Sequence, residues 1–167
     1  MTRSLIFCAC LLLSACASQP ALTTQTVNAG AQRAPEQLAV GFEKADQALR
    51  IDPASRSIRG DAASTFQALS PLDRTVLDLD NNLPVDSVMV DGQLLPASAY
   101  SNPVGRLAIA LPRQVAAGAQ VAVRVGYHGA PHVAKQAPWD GGGVWSSTPD
   151  GQPWVSSAVQ GEGCDLF

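Results

Sequence analysis

Residues 120–129 read QVAVRVGYHG, and the fold turns on how this stretch is read. Val121, Val123 and Val125 fall on one face and Ala122 and Arg124 on the other, the period of two that marks a half-buried strand. Working outward, short runs of the same kind recur: RLAIAL (106–111), VDSVMV (85–90) and TVLDLD (75–80), separated by the turn signals SNPVG, DG and NNLP. Val88 and Val90, then Asp91-Gly92, then Leu94, mark a hairpin, because its tight turn needs the positive φ that glycine supplies. QLLPASAY (93–100) reads as one further strand. Upstream, QALRID (47–52) and RSIRGDAASTFQAL (56–69) flank the turn PAS, and QLAVGFEKADQAL (37–49) has the composition for a short helical turn that ends at the first strand. No window of helical length carries an amphipathic period. The expectation is an all-β chain, an antiparallel β-sandwich of two packed sheets with one buried face each.

Composition agrees with one globular domain. The chain is 46% hydrophobic and 15% charged with a net charge of −3, which excludes a disordered chain and gives no electrostatic case for nucleic acid. Trp139, Trp145 and Trp154 all fall in one short stretch near the C-terminus, so function is sought there. That stretch, His128 to Pro153, is rich in glycine and proline with almost no alternation and reads as a long loop, of a length that usually serves function. WVSSAVQ (154–160) then alternates again, as a strand ending at Gln160.

The N-terminus reads MTRSLIFCACLLLSACASQP, with Arg3, an apolar run from Leu5 to Leu13, and Ser14-Ala15 before Cys16. LSAC resembles a bacterial lipobox. That resemblance implies a signal peptide over 1–15, lipidation of Cys16, and, because Ala17 follows, an outer-membrane lipoprotein with its domain in the periplasm. Residues 16–40 are polar and small and read as a flexible tether. With Cys8 and Cys10 in the signal and Cys16 lipidated, Cys164 is left alone and no internal disulfide is expected.

Three stretches carry a second resemblance. SPLDRTVLDLDNNLPVDSVMVDGQLL (70–95), VAVRVGYHGAP (121–131) and APWDGGGVWSSTPDGQPWVSSAVQGEGCDLF (137–167) resemble, in that order, the N-terminal β-domain of zinc aminopeptidases of the aminopeptidase N (M1) family. The likeness runs from about Ala45 to Phe167, and places the domain at 41–167. It implies a saddle of strands packed on a zinc-bearing catalytic domain, with the last strand and loop delivering a Gln or Glu that holds the free α-amine of a peptide. The matching position is Gln160, whose amide oxygen can accept from an ammonium group, with Glu162 two residues on to supply negative charge. The family's His-Glu-x-x-His zinc motif and its Gly-x-Met-Glu-Asn loop are not found in these 167 residues, so no catalytic or metal-ligating residue is assigned here. The resemblance therefore implies a domain that continues past Phe167, a catalytic partner in the same or a separate chain that binds the zinc, and no activity alone. The alternative is a free-standing periplasmic lipoprotein that binds a partner or glycan through the tryptophan-rich loop.

Two other constellations carry less. His128 and His132 have the spacing of zinc ligands on a helix, but Pro131 lies between them and would break one. Cys164 has no orienting base in sequence and reads as a small packed residue.

Overall fold

The computed structural model describes residues 32–137, 139 and 141–158. Within them the chain is antiparallel β, as expected, with ten strands and one four-residue helix. The elements are α1 (Pro35–Leu38), β1 (Val40–Asp52), β2 (Ser57–Ala68), β3 (Leu72–Asp78), β4 (Val85–Val90), β5 (Gln93–Leu94), β6 (Tyr100–Ser101), β7 (Arg106–Val115), β8 (Gln120–Gly129), β9 (Gly142–Ser147) and β10 (Pro153–Ala158). They form a five-stranded sheet in the order β1-β2-β8-β4-β5, a three-stranded sheet β3-β7-β6, and a hairpin of β9 and β10.

The opening stretch does what its period predicts. Val121, Val123 and Val125 are buried at 1–4% exposure, and β8 lies between β2 and β4 as the sheet's central strand. Their faces meet Val88 and Val90 of β4, Phe66 and Ile58 of β2, and Leu107, Ile109 and Val115 of β7 from the second sheet, so one apolar core joins both sheets. Asp91 and Gly92 both take positive φ (49° and 81°), the geometry of a type I′ turn. The turn pairs Val90 with Gln93 and Met89 with Leu94.

Three local expectations change. The helical turn weighed over 37–49 is confined to α1, and β1 starts at Val40. Pairing of β1 with β2 from Val40↔Ala68 to Asp52↔Ser57 outweighs the helix propensity of EKADQAL. QLLPASAY does not run as one strand. It makes β5, a 3₁₀ turn at Ala97–Ala99, then β6 in the other sheet, because Pro96 has no N–H to continue the ladder. Finally, the long loop contains a strand, β9, which its two leading glycines hid from the alternation.

The stretch read as a tether ends in α1. Gln37 Oε1 accepts from Ala34 N–H at 2.7 Å, Gln37 Nε2 donates to Asp78 at 2.8 Å, and Glu36 pairs with Arg74 at 3.1 Å, so α1 is docked on β3.

Candidate functional site

The strand that leads toward Gln160 is β10, and its position rests on how the chain leaves β8. Residues 128–134 run against the β3–β4 connection. His128 N–H donates to Pro84 O at 3.1 Å, and His128 Nδ1 lies 2.7 Å from Asp86 Oδ1. Asn82 Nδ2 donates to Ala130 O. Pro131 is fully buried, and beyond it His132 Nε2 lies 3.0 Å from Asp80 Oδ2 with side chains 7% and 2% exposed. The two atoms are close but not aligned as a hydrogen bond. The other Asp80 oxygen accepts from Asn82 N–H at 2.8 Å, and Leu83 N–H donates to Asp80 O at 2.9 Å.

From this clasp the chain reaches β9. Gly143 N–H donates to His132 O at 2.6 Å and Ala134 N–H to Gly143 O at 3.1 Å, with Val133 and Gly143 in a parallel bridge. Gly142 has φ 128°, and a Cβ there would lie 2.5 Å from His132 O, so only glycine lets the two segments approach this closely. β9 then pairs with β10 from Ser147↔Pro153 to Gly142↔Ala158. The turn between them is tied by Thr148 N–H to Gln152 O at 2.8 Å and Gln152 N–H to Thr148 Oγ1 at 3.0 Å.

Of the three tryptophans, Trp145 pins the segment: it is half-buried against the main core, and its Nε1 has no acceptor among the described residues. Trp139 and Trp154 are 70% and 58% exposed. Trp154 and Trp145 line a groove of about 250 Å³ with Pro53, Arg56 and Pro153.

β10 ends at Ala158, two residues short of Gln160. Gln160 and Glu162 lie outside the described residues, as do Cys16 and Cys164. His128 and His132 do not converge on a common ligand: each faces its own carboxylate. Among the described residues no three His, Cys, Asp or Glu side chains gather as a zinc site requires. The residues described here do not fit zinc. RSIRGD presents charged side chains on the outer face of β2, with Arg59 3.3 Å from Asp86 and Asp61 2.7 Å from Arg124. Sequence reasoning missed the clasp: Asp80 and His132 are 52 residues apart, and no local pattern joins them.

No family model and no curated protein matches the chain. Solved structures do. A two-domain M1 zinc metallopeptidase variant bound to L-arginine matches with TM-score 0.52 and 23% identity over 70% of this chain. The M1 zinc metallopeptidase from Deinococcus radiodurans matches with TM-score 0.53 and 25% identity over 68% of this chain, and its variant bound to a Tyr-Ser-Ala substrate with TM-score 0.51 and 24% identity. The fold is that of the N-terminal β-domain of M1 zinc metallopeptidases. This M1-type β-domain spans only 27–28% of the length of the structures it matches. Its β9–β10 hairpin is joined to the sandwich through residues 128–134, where His132 meets Asp80.

Proposed function

We propose that this chain is the N-terminal, substrate-side domain of a lipid-anchored periplasmic zinc aminopeptidase. Cys16 carries the lipid, and the catalytic domain, of the same or a separate chain, holds the zinc. Gln160 meets the free α-amine of the peptide: its amide oxygen accepts from the ammonium group, and Glu162 adds the opposite charge. The chain's own residues bind and orient, and the bond-breaking chemistry belongs to the catalytic domain. The observation that supports this reading is the M1-type fold, in which the β9–β10 hairpin is joined to the sandwich and β10 ends at Ala158, two residues before Gln160 in the sequence. One of the matched structures is bound to a Tyr-Ser-Ala substrate, a peptide with an N-terminal residue of the kind such a site would hold.

The test is kinetic, in an enzyme that joins this chain to its catalytic domain. Losing a hydrogen bond to a charged group is worth about 1.5–3 kcal/mol, so Gln160→Ala is expected to lower kcat/KM for peptides by about tenfold or more. Unchanged kcat/KM would remove Gln160 from the site.

A second reading has its own observation, the exposed Trp139 and Trp154. As a binding module the chain would take a glycan or partner on these rings, and glycan-array binding lost in Trp154→Ala would favour it over the peptidase reading.

A further inference from the structure

Among the described residues the five-stranded sheet has one long open edge. β1 pairs with β2 on one side only, whereas the opposite edge is the two-residue β5. Unpaired N–H and C=O groups along such an edge are a template for another strand. The register of β1 on β2 slips once, between Phe42 and Lys44, and then runs regularly from Lys44↔Thr65 to Asp52↔Ser57. Over these nine residues Lys44, Asp46, Ala48, Arg50 and Asp52 share one face, and Ala45, Gln47, Leu49 and Ile51 the other. Leu49 and Ile51 are 46% and 43% exposed. Arg50 sits opposite Arg59, a like charge that is itself turned to Asp86, and no carboxylate among the described residues pairs with Arg50.

We propose that β1 pairs edge to edge with β1 of a second copy of this chain, antiparallel about a twofold axis at Ala48. Two constraints select that register. Only alternate residues turn their N–H and C=O toward the free edge, so a strand facing its own copy can oppose only residues of equal parity, and the axis must pass through a residue. Charge then decides which one. An axis at Ala48 sets Lys44 opposite Asp52 and Asp46 opposite Arg50, each pair formed twice by symmetry, and gives Arg50 the carboxylate it lacks. An axis at Gln47 would oppose Lys44 to Arg50, one at Leu49 would oppose Asp46 to Asp52, and one at Asp46 would set that acid against itself. Ala48 is also the centre that pairs the whole regular stretch, Lys44 to Asp52, with itself and leaves the bulge outside. On the other face Leu49 meets Gln47 and Ile51 meets Ala45 of the second copy, which withdraws the exposed apolar surface from water. The existing Lys44–Asp46 pair is 2.8 Å long but 67% and 71% exposed, a contact weak enough to exchange.

The experiment is sedimentation velocity of the 167-residue chain in reductant and a density-matched detergent. The expected species is twice the 17.4 kDa chain mass. Asp46→Arg sets arginine against arginine at two places and is expected to weaken the dimer by at least about tenfold. Adding Arg50→Asp to it reverses both charges and is expected to restore the dimer. Amide exchange is expected to slow with rising concentration along Lys44–Asp52 and nowhere else in the sheet. A chain of 17.4 kDa at every concentration overturns the proposal. So does a dimer indifferent to Asp46→Arg, a folded double variant that fails to reassociate, or protection that appears away from β1.

Discussion

At the scale of single residues the core is defined by what two glycines allow. Gly60 lies opposite Tyr127 across β2 and β8, and a Cβ at Gly60 would sit 2.1 Å from Tyr127 Cζ. Tyr127 is 2% exposed and belongs to the main core, so its ring can yield only by repacking its neighbours. Gly60→Ala is therefore expected to cost about 2 kcal/mol or more in urea unfolding. Much of that loss should be recovered when Tyr127→Leu accompanies it, since the two sites are in contact. Gly142 is the second case, where a side chain would meet His132 O. Tyr127 also carries a pH signature. Burial first, and the nearby Asp61 carboxylate second, raise its pKa above the ordinary 10.0. The folded state then holds the phenol proton more tightly than the unfolded chain does. That contribution is fully present below the ordinary tyrosine range and is lost as pH rises through the raised value. Thermal melts above about pH 10 should fall less steeply in Tyr127→Phe than in the parent chain.

At the scale of elements the decisive piece is the β9–β10 hairpin and its clasp. Among the described residues its strands form a ladder only with each other, and apart from the single Val133–Gly143 bridge its position on the sandwich depends on residues 128–134, on Trp145, and on the His132–Asp80 contact. The Asp80 carboxylate is 2% exposed beside His132, and His132→Ala would leave it with the Asn82 backbone amide as its donor. Removing one partner and leaving a buried polar group under-satisfied costs about 1–3 kcal/mol. Adding Asp80→Asn to His132→Ala should return part of the loss, because the amide still accepts from Asn82 without a stranded charge. Hydrogen exchange should show the effect first in β9 and β10. Legibility at this scale was uneven. The Asp91-Gly92 turn and the valines of β8 follow from neighbours in sequence and were read correctly. β9 was not, because Gly142-Gly143 opens the strand without side chains to alternate, and the first half of β1 was not, because EKADQAL suits a helix until β2 is placed beside it.

At the scale of the whole molecule the M1-type fold organises everything the described residues contain, yet the proposed amine-binding pair sits beyond them. The kinetic consequence of Gln160→Ala is thus a property of the joined enzyme, and the β1 dimer a property of this chain's own edge. A failure of one leaves the other standing. What the sequence determined by itself was local: the period of two, the turn residues, the lipobox-like start, and the motif ending in Gln160-Gly-Glu162. These are legible because strand pattern and turn geometry depend on residues a few positions apart. Sheet order, the open edge of β1, and the meeting of Asp80 with His132 were decided only by the tertiary structure. They depend on which segments lie side by side, and a buried charge finds its partner through space, where no spacing in the chain records it.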